Sequence, residues 1–223
     1  MFLTDRTTMS HIHMKFSLSD FIKDACKNVN PNAILNANRR FTVAIGTGTH
    51  YGQGLAVSRN SFVTVAHVIP EGSIRSNISV NGKQCTVHNV TPYDENGVDD
   101  HLNLVTVSKA FLDFSSNHCG VDDSRDILFY ASIAGDTIRM CDASEMTYNN
   151  GIVSLPLDAS HGDSGSPVWA VFDRDCTVVR PFAITSSGID NTRVGNIFIP
   201  LDFDKRKPAR GDPHFVGPRN ASN

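Results

Sequence analysis

Ser164 stands in the run Asp158-Ala-Ser-His-Gly-Asp-Ser-Gly-Ser-Pro-Val168, with Gly162 two places before it and Gly165 directly after. Glycines on both sides suit a tight loop, because they accept backbone angles that a β-carbon forbids. Such a loop also lets backbone N–H groups converge on one point, where they can hold an oxyanion. The serine hydroxyl is a strong nucleophile only with a base within hydrogen-bond reach. His67, in Thr64-Val-Ala-His-Val68, is the candidate. One imidazole titrating near neutrality can take the hydroxyl proton and later return it to a leaving group. The pair therefore suggests acyl transfer, with Ser164 as nucleophile and His67 as base, then acid. The competing reading is a Gly-Asp-Ser-Gly surface turn and an unrelated core histidine. Two motifs, each inside a strand pattern, weigh against it.

These side chains need elements to hold them. From Phe41 the apolar pattern has a period of two, which predicts strands at Phe41–Ile45, Gly54–Ser58, Phe62–Ala66, Ile78–Val80, Gln84–Val90 and Leu102–Val107. Turn residues separate them, notably Asn81-Gly82. Residues 108–125 read as a linker that Phe111, Leu112 and Phe114 could anchor. A second set follows at Ile127–Ile133, Thr137–Met140, Gly151–Leu155, Pro167–Phe172, Thr177–Ile184 and Asn196–Leu201. The expected fold is all-β: two antiparallel six-stranded barrels with a short N-terminal helix. Ser17–Val29, with Leu18, Phe21, Ile22, Ala25 and Val29 at helical spacing, supplies that helix, and Asn30-Pro31 ends it. The divisions are 1–40 for the lead and helix, 41–107 and 126–201 for the barrels, and 202–223 for a flexible tail. His67 and Ser164 come from different barrels, so the site assembles across a cleft.

Composition narrows the function classes. The chain has 223 residues, 40% of them hydrophobic, enough for a sizeable core. A net charge of -3 gives no electrostatic footprint for nucleic acid. No apolar run approaches the ~20 residues that a membrane helix needs, and Met1–Lys15 lacks the apolar stretch of a signal peptide. Cys26, Cys85, Cys119, Cys141 and Cys176 are odd in number, scattered and without metal-ligand spacing. They read as reduced thiols in a cytoplasmic setting. No cofactor is expected, and oligomeric state is open.

The two motifs resemble those of chymotrypsin-like serine proteases, and Gly54–His67 resembles the family's strand-turn-strand approach to its histidine. The resemblance spans about residues 41–200. It implies a serine endopeptidase acting on a polypeptide, with the N–H groups of Gly162 and Ser164 as oxyanion hole and Asp163 and Gly165 shaping the loop. The family's acid stands directly before an alternating strand, but His101 occupies that place here, ahead of Leu102, with Asp99 and Asp100 just upstream. Asp100 is the preferred partner for His67, since a carboxylate best stabilises an imidazolium. His101, then Asp99, are the alternatives, followed by a Ser-His dyad with no third member. Asp158, six residues before Ser164, matches the acid that grips a basic side chain in trypsin-like relatives. An ordinary loop carboxylate is the equal alternative. Picornavirus- and arterivirus-type main proteases use a Thr and a His to select Gln or Glu, and Ala159 and Thr185 stand at those places. Thr185-Ser186-Ser187-Gly188 resembles the strand that pairs with substrate backbone.

Within the superfamily, the Ala-His-Val and Gly-Asp-Ser-Gly-Ser-Pro-Val motifs and the lack of bridging cysteines are most similar to viral polyprotein-processing enzymes. Nidovirus main proteases with a serine nucleophile are the nearest type. A catalytically weak homologue that binds rather than cleaves is the alternative, motivated by the displaced acid. An esterase elbow of another fold is disfavoured, because it needs glycine where Ser166 stands.

Overall fold

A computed structural model of the chain describes residues 15–16, 32–93, 101–112, 127–135, 137–149, 152–172, 179–186 and 196–201. The first half is a closed antiparallel barrel of six strands. These are β2 (Thr42–Gly46), β3 (Tyr51–Ala56), β4 (Ser61–Val65), β5 (Asn77–Val80), β6 (Lys83–Pro92) and β7 (Leu102–Val107). Their order around the barrel is β2-β3-β4-β7-β6-β5, and closure comes from Ile45 opposite Val80 and Gly46 opposite Ser79. Asn81 and Gly82 make the β5–β6 turn with φ of 51° and 77°, the double positive φ expected of a two-residue hairpin with this sequence.

The second half is an antiparallel sheet built from β8 (Phe129–Ala134), β9 (Thr137–Asp142), β10 (Thr147–Asn149), β11 (Ile152–Leu155), β12 (Pro167–Val171), β13 (Val179–Ser186) and β14 (Asn196–Pro200). With β1 (Lys15–Phe16), the order of the eight strands is β1-β9-β8-β12-β13-β14-β11-β10. All twelve expected strands are present, with ends shifted by a few residues, and β1 and β10 are additions at the two edges. Lys15 lies opposite Arg139 and Phe16 opposite Ile138, so residues 15–16 of the expected N-terminal lead form an edge strand.

The helix differs from expectation. α1 spans Asn32–Phe41 and runs straight into β2, while the expected Ser17–Val29 lies outside the described residues. Asn30-Pro31 is compatible with a helix stop, but proline is also favoured at a helix start. The apolar spacing then fits Asn32–Phe41: Ile34, Leu35 and Phe41 are buried, and Arg39 and Arg40 occupy the last turn, where cations complement the helix dipole.

One apolar core runs through the barrel and into the second half. It joins Phe62, Val63 and Val105 to Ile34 and Phe41 of α1 and to Trp169, Val171 and Ile184. A second cluster around Tyr130, Val153, Leu157, Val168 and Phe198 fills the rest of the second half. α1 ties the two halves: Phe41 and Trp169 lie 6.4 Å apart between ring centroids, and Trp169 Nε1 donates to Asn38 Oδ1 at 3.1 Å. Of the expected linker anchors, Phe111 is buried and packs edge-on against Phe62 at 5.9 Å. Leu112 is half-buried and packs against the same core, while Phe114, the linker from residue 113 to 125 and the tail lie outside the described residues. No helix among the described residues is long and apolar enough to cross a membrane.

Candidate active site

The turn carrying Ser164 lies between β11 and β12 and is shaped by two glycines. Gly162 and Gly165 have φ of 93° and 86°, a region L-residues rarely enter. A β-carbon on Gly165 would lie 1.8 Å from the Gln53 carbonyl oxygen, so only glycine fits there. The N–H groups of Asp163, Gly165 and Ser166 bond to the carbonyls of Ser160 (3.0 Å), Thr185 (2.8 Å) and Asp163 (2.9 Å). The Asp163 carboxylate accepts from the N–H and hydroxyl of Ser160 at 2.9 and 3.1 Å and faces Arg139 Nη1 at 3.3 Å. Ser164 itself is 5% exposed.

The first barrel grips the same turn. Gln53 on β3 donates its N–H to the Ser164 carbonyl at 2.7 Å and its Nε2 to the Gly162 carbonyl at 3.0 Å. The Gln53 carbonyl in turn accepts from Thr64 Oγ1 at 2.7 Å, on the strand that leads to His67.

His67 sits in the turn after β4. The Val65 carbonyl closes that turn by accepting from Val68 N (3.0 Å) and Ile69 N (3.3 Å). Val68 and Ile69 are buried while His67 is exposed, so its apolar neighbours anchor the turn and present the imidazole outward. Asn103 on β7 is buried and donates Nδ2 to the Ile69 carbonyl at 2.9 Å, bracing the turn from beneath.

Gly52 marks where the two motifs meet. Its missing β-carbon would lie 2.7 Å from Val68 Cγ2 and 3.1 Å from the Ser164 carbonyl oxygen. The histidine turn and the serine turn thus share one small gap that a side chain would fill.

The expected third member is described in part. Asp99 and Asp100 lie outside the described residues. His101 is half-buried at the start of β7; its carbonyl accepts from Ala66 N at 2.8 Å, and its Nε2 lies 3.3 Å from Glu71 Oε1. Of the expected substrate-binding residues, Asp158 is half-buried and its carbonyl accepts from Arg139 Nη1. Thr185 and Ser186 are buried on β13, and the Thr185 hydroxyl accepts from Ser166 Oγ at 3.0 Å. Ser187 and Gly188 lie outside the described residues.

Gln53, Asn103 and Arg139 were not singled out from sequence. The alternation in Leu102-Asn103-Leu104 and Ile138-Arg139-Met140 reads as a strand with its polar residue toward solvent, so it carries no signal that Asn103 and Arg139 are buried. Gln53 carries none either, since it alternates with glycines. Cys85 and Cys141 are free and buried. Burial first, then the nearby charge of Glu145, pushes the Cys141 thiol well above its ordinary range, so it does not compete as a nucleophile. Among the described residues no group of three or more His, Cys, Asp or Glu side chains could hold a metal ion.

No protein-family model matches the chain, and no curated protein does. Solved structures do. A scabies mite inactivated protease paralogue is similar over 75% of this chain and 89% of its own, with a TM-score of 0.51 and 12% identity. A Glu endopeptidase covers 84% of this chain and 90% of its own, with a TM-score of 0.49 and 12% identity. A human pathogenic astrovirus serine protease covers 78% and 92%, with a TM-score of 0.45 and 18% identity. The barrel, the curled second sheet and the short helix before them make the chymotrypsin-like fold.

Proposed function

We propose that the chain is a serine endopeptidase. The observation that carries this reading is the junction at Gly52, where the turn bearing His67 and the turn bearing Ser164 abut. In the reaction, His67 takes the proton from Ser164 Oγ as that oxygen attacks the peptide carbonyl. The N–H groups of Gly162 and Ser164 hold the tetrahedral oxyanion. Collapse breaks the C–N bond, and His67 protonates the departing amine. Water then enters by the same route in reverse, cleaving the acyl ester and restoring Ser164. Every step uses only protein groups and water.

Asp100 is the residue we assign to orient His67. Support comes from the β4–β7 register, in which Val65 lies opposite Leu102 and Ala66 is bonded to His101. Asp158, Thr185, Ser186, Ser187 and Gly188 are assigned to substrate binding. The motif resemblance to viral polyprotein-processing enzymes, nidovirus-type above all, makes a longer viral polypeptide the proposed substrate. The free thiols of Cys85 and Cys141 support a reducing, cytoplasmic setting.

One observation favours a second reading. His101 stands where the family has its acid, and its Nε2 faces Glu71. A homologue without an oriented imidazole would bind peptides and cleave them slowly or not at all. Hydrolysis of a diverse peptide library by the purified chain separates the two. The first reading expects ready turnover in the parent that is lost in Ser164→Ala and His67→Ala, and the second expects slow turnover or none in the parent.

A further inference from the structure

Asn103 lies near the start of β7, a strand otherwise made of Leu, Val and Thr. Alternation puts it on one face with Val105 and Val107, and all three are fully buried. Asparagine is depleted at such positions, since its amide needs partners once water is gone. Here the pairing is half complete. Nδ2 donates to the Ile69 carbonyl at 2.9 Å, while Oδ1 has no hydrogen-bond partner among the described residues. Thr64, directly opposite on β4, does not supply one, because its single hydroxyl proton goes to the Gln53 carbonyl at 2.7 Å. A leucine has the same branching and would bury no orphan acceptor. The fold alone therefore has little use for this amide, and its one bond goes to the histidine turn.

β7 holds that turn at both ends. Ala66 N, directly before His67, donates to the His101 carbonyl at 2.8 Å. The Ile69 carbonyl, two residues after His67, accepts from Asn103. Between these points the Val65 carbonyl takes Val68 N and Ile69 N. His67 is exposed, so the direction of its imidazole depends on where the backbone of the turn sits. Without the Asn103 bond the turn keeps its tie at Ala66 and its apolar anchors, Val68 and Ile69, but can pivot on them. A shift of about 1 Å at a reacting group can cost about 10²-fold in rate.

We propose that Asn103 is a positioning residue that sets the place of His67 through the Ile69 carbonyl. The inference rests on the reading of His67 as general base. Asn103→Leu removes the donor and the orphan acceptor together. It should lower kcat about 10²-fold, with KM changed less than about three-fold because substrate contacts remain. Its urea midpoint should match or exceed the parent's, since apolar atoms replace a half-paired amide. Val105→Ala, one pleat along the same face, is the packing control. It opens a cavity but removes no polar atom that could bond the turn, so its midpoint should fall while kcat stays parental.

The test compares the parent, Asn103→Leu, Asn103→Ala and Val105→Ala. Peptide kinetics are read beside urea unfolding and amide exchange of Val68 and Ile69, whose N–H groups close the turn. Support is a kcat loss at steady KM in Asn103→Leu, with a midpoint no lower than the parent's and faster exchange confined to the turn. A folded Asn103→Leu variant with parental kcat, or with parental exchange at Val68 and Ile69, overturns the proposal. So does a kcat loss with faster exchange across the whole barrel, or an equal kcat loss in Val105→Ala, since either makes the effect one of core packing. If Asn103→Leu does not fold, Asn103→Ala decides by the same kinetics and exchange. Should that also fail to fold, Asn103 belongs to the fold at large and the proposal is wrong. A parent that hydrolyses nothing refutes the protease reading instead, and exchange alone then judges the positioning role.

Discussion

The backbone N–H of Gln53 donates to the carbonyl of Ser164 at 2.7 Å, so a strand of the first barrel holds the peptide of the proposed nucleophile in the second half. The Gln53 side chain adds the Gly162 carbonyl, and Thr64 secures Gln53 from behind. The site is therefore a joint product of both halves.

The two glycines of the serine turn should respond differently to alanine. At Gly165 the new carbon would meet the Gln53 carbonyl at 1.8 Å as well as enter a strained φ. Gly165→Ala should therefore open the contact between the halves, abolish turnover and destabilise by more than the roughly 1–3 kcal/mol of backbone strain alone. At Gly162 nothing lies within 4 Å of the added carbon, so only the strain applies. Chemical denaturation of the two variants checks the ranking.

Much of this architecture was legible in the sequence because a period of two and turn residues are local signals. The six strands of the barrel and the Asn81-Gly82 turn came directly from them. α1 was not, because Asn30-Pro31 is compatible with either end of a helix. The Ser164 and His67 motifs were legible as types and spacing. Their braces were not: Gln53, Asn103 and Arg139 act through contacts between residues far apart in sequence, such as Gln53 with Gly162. No local pattern encodes such a pairing.

The seam between the halves gives a second expectation. Asn38 Oδ1 accepts from both Trp169 Nε1 at 3.1 Å and Thr42 Oγ1 at 2.9 Å. Asn38→Ala leaves a buried indole N–H without that acceptor and should cost about 1–3 kcal/mol. Trp169 is the sole tryptophan of the chain, so its fluorescence follows this seam. A midpoint in urea unchanged from the parent would show that the contact contributes nothing.

Residue preference tests Asp158. If its carboxylate pairs with a basic substrate side chain, cleavage after Arg or Lys should dominate the library. Asp158→Asn should then depress it far more than cleavage after neutral residues. A preference for Gln, Glu or aromatic residues would make Asp158 a loop acid whose carbonyl anchors Arg139.

The orienting residue is tested by ranking three variants. With Asp100 in that role, Asp100→Asn should cut kcat by about 10⁴, as the wrong imidazole tautomer does in the template triad. His101→Ala should cost less, since its ring faces Glu71. A reversed ranking assigns the role to His101. Small, equal losses in these two and in Asp99→Ala leave a Ser-His dyad.

A nucleophilic Ser164 activated by His67 should be selectively reactive in the folded chain. Reaction of the folded chain with a fluorophosphonate, followed by peptide mapping, tests it most directly. One adduct is expected, on Ser164, that is lost in His67→Ala and after denaturation. An unlabelled Ser164 in the folded parent, or labelling that persists unchanged in folded His67→Ala, would contradict it.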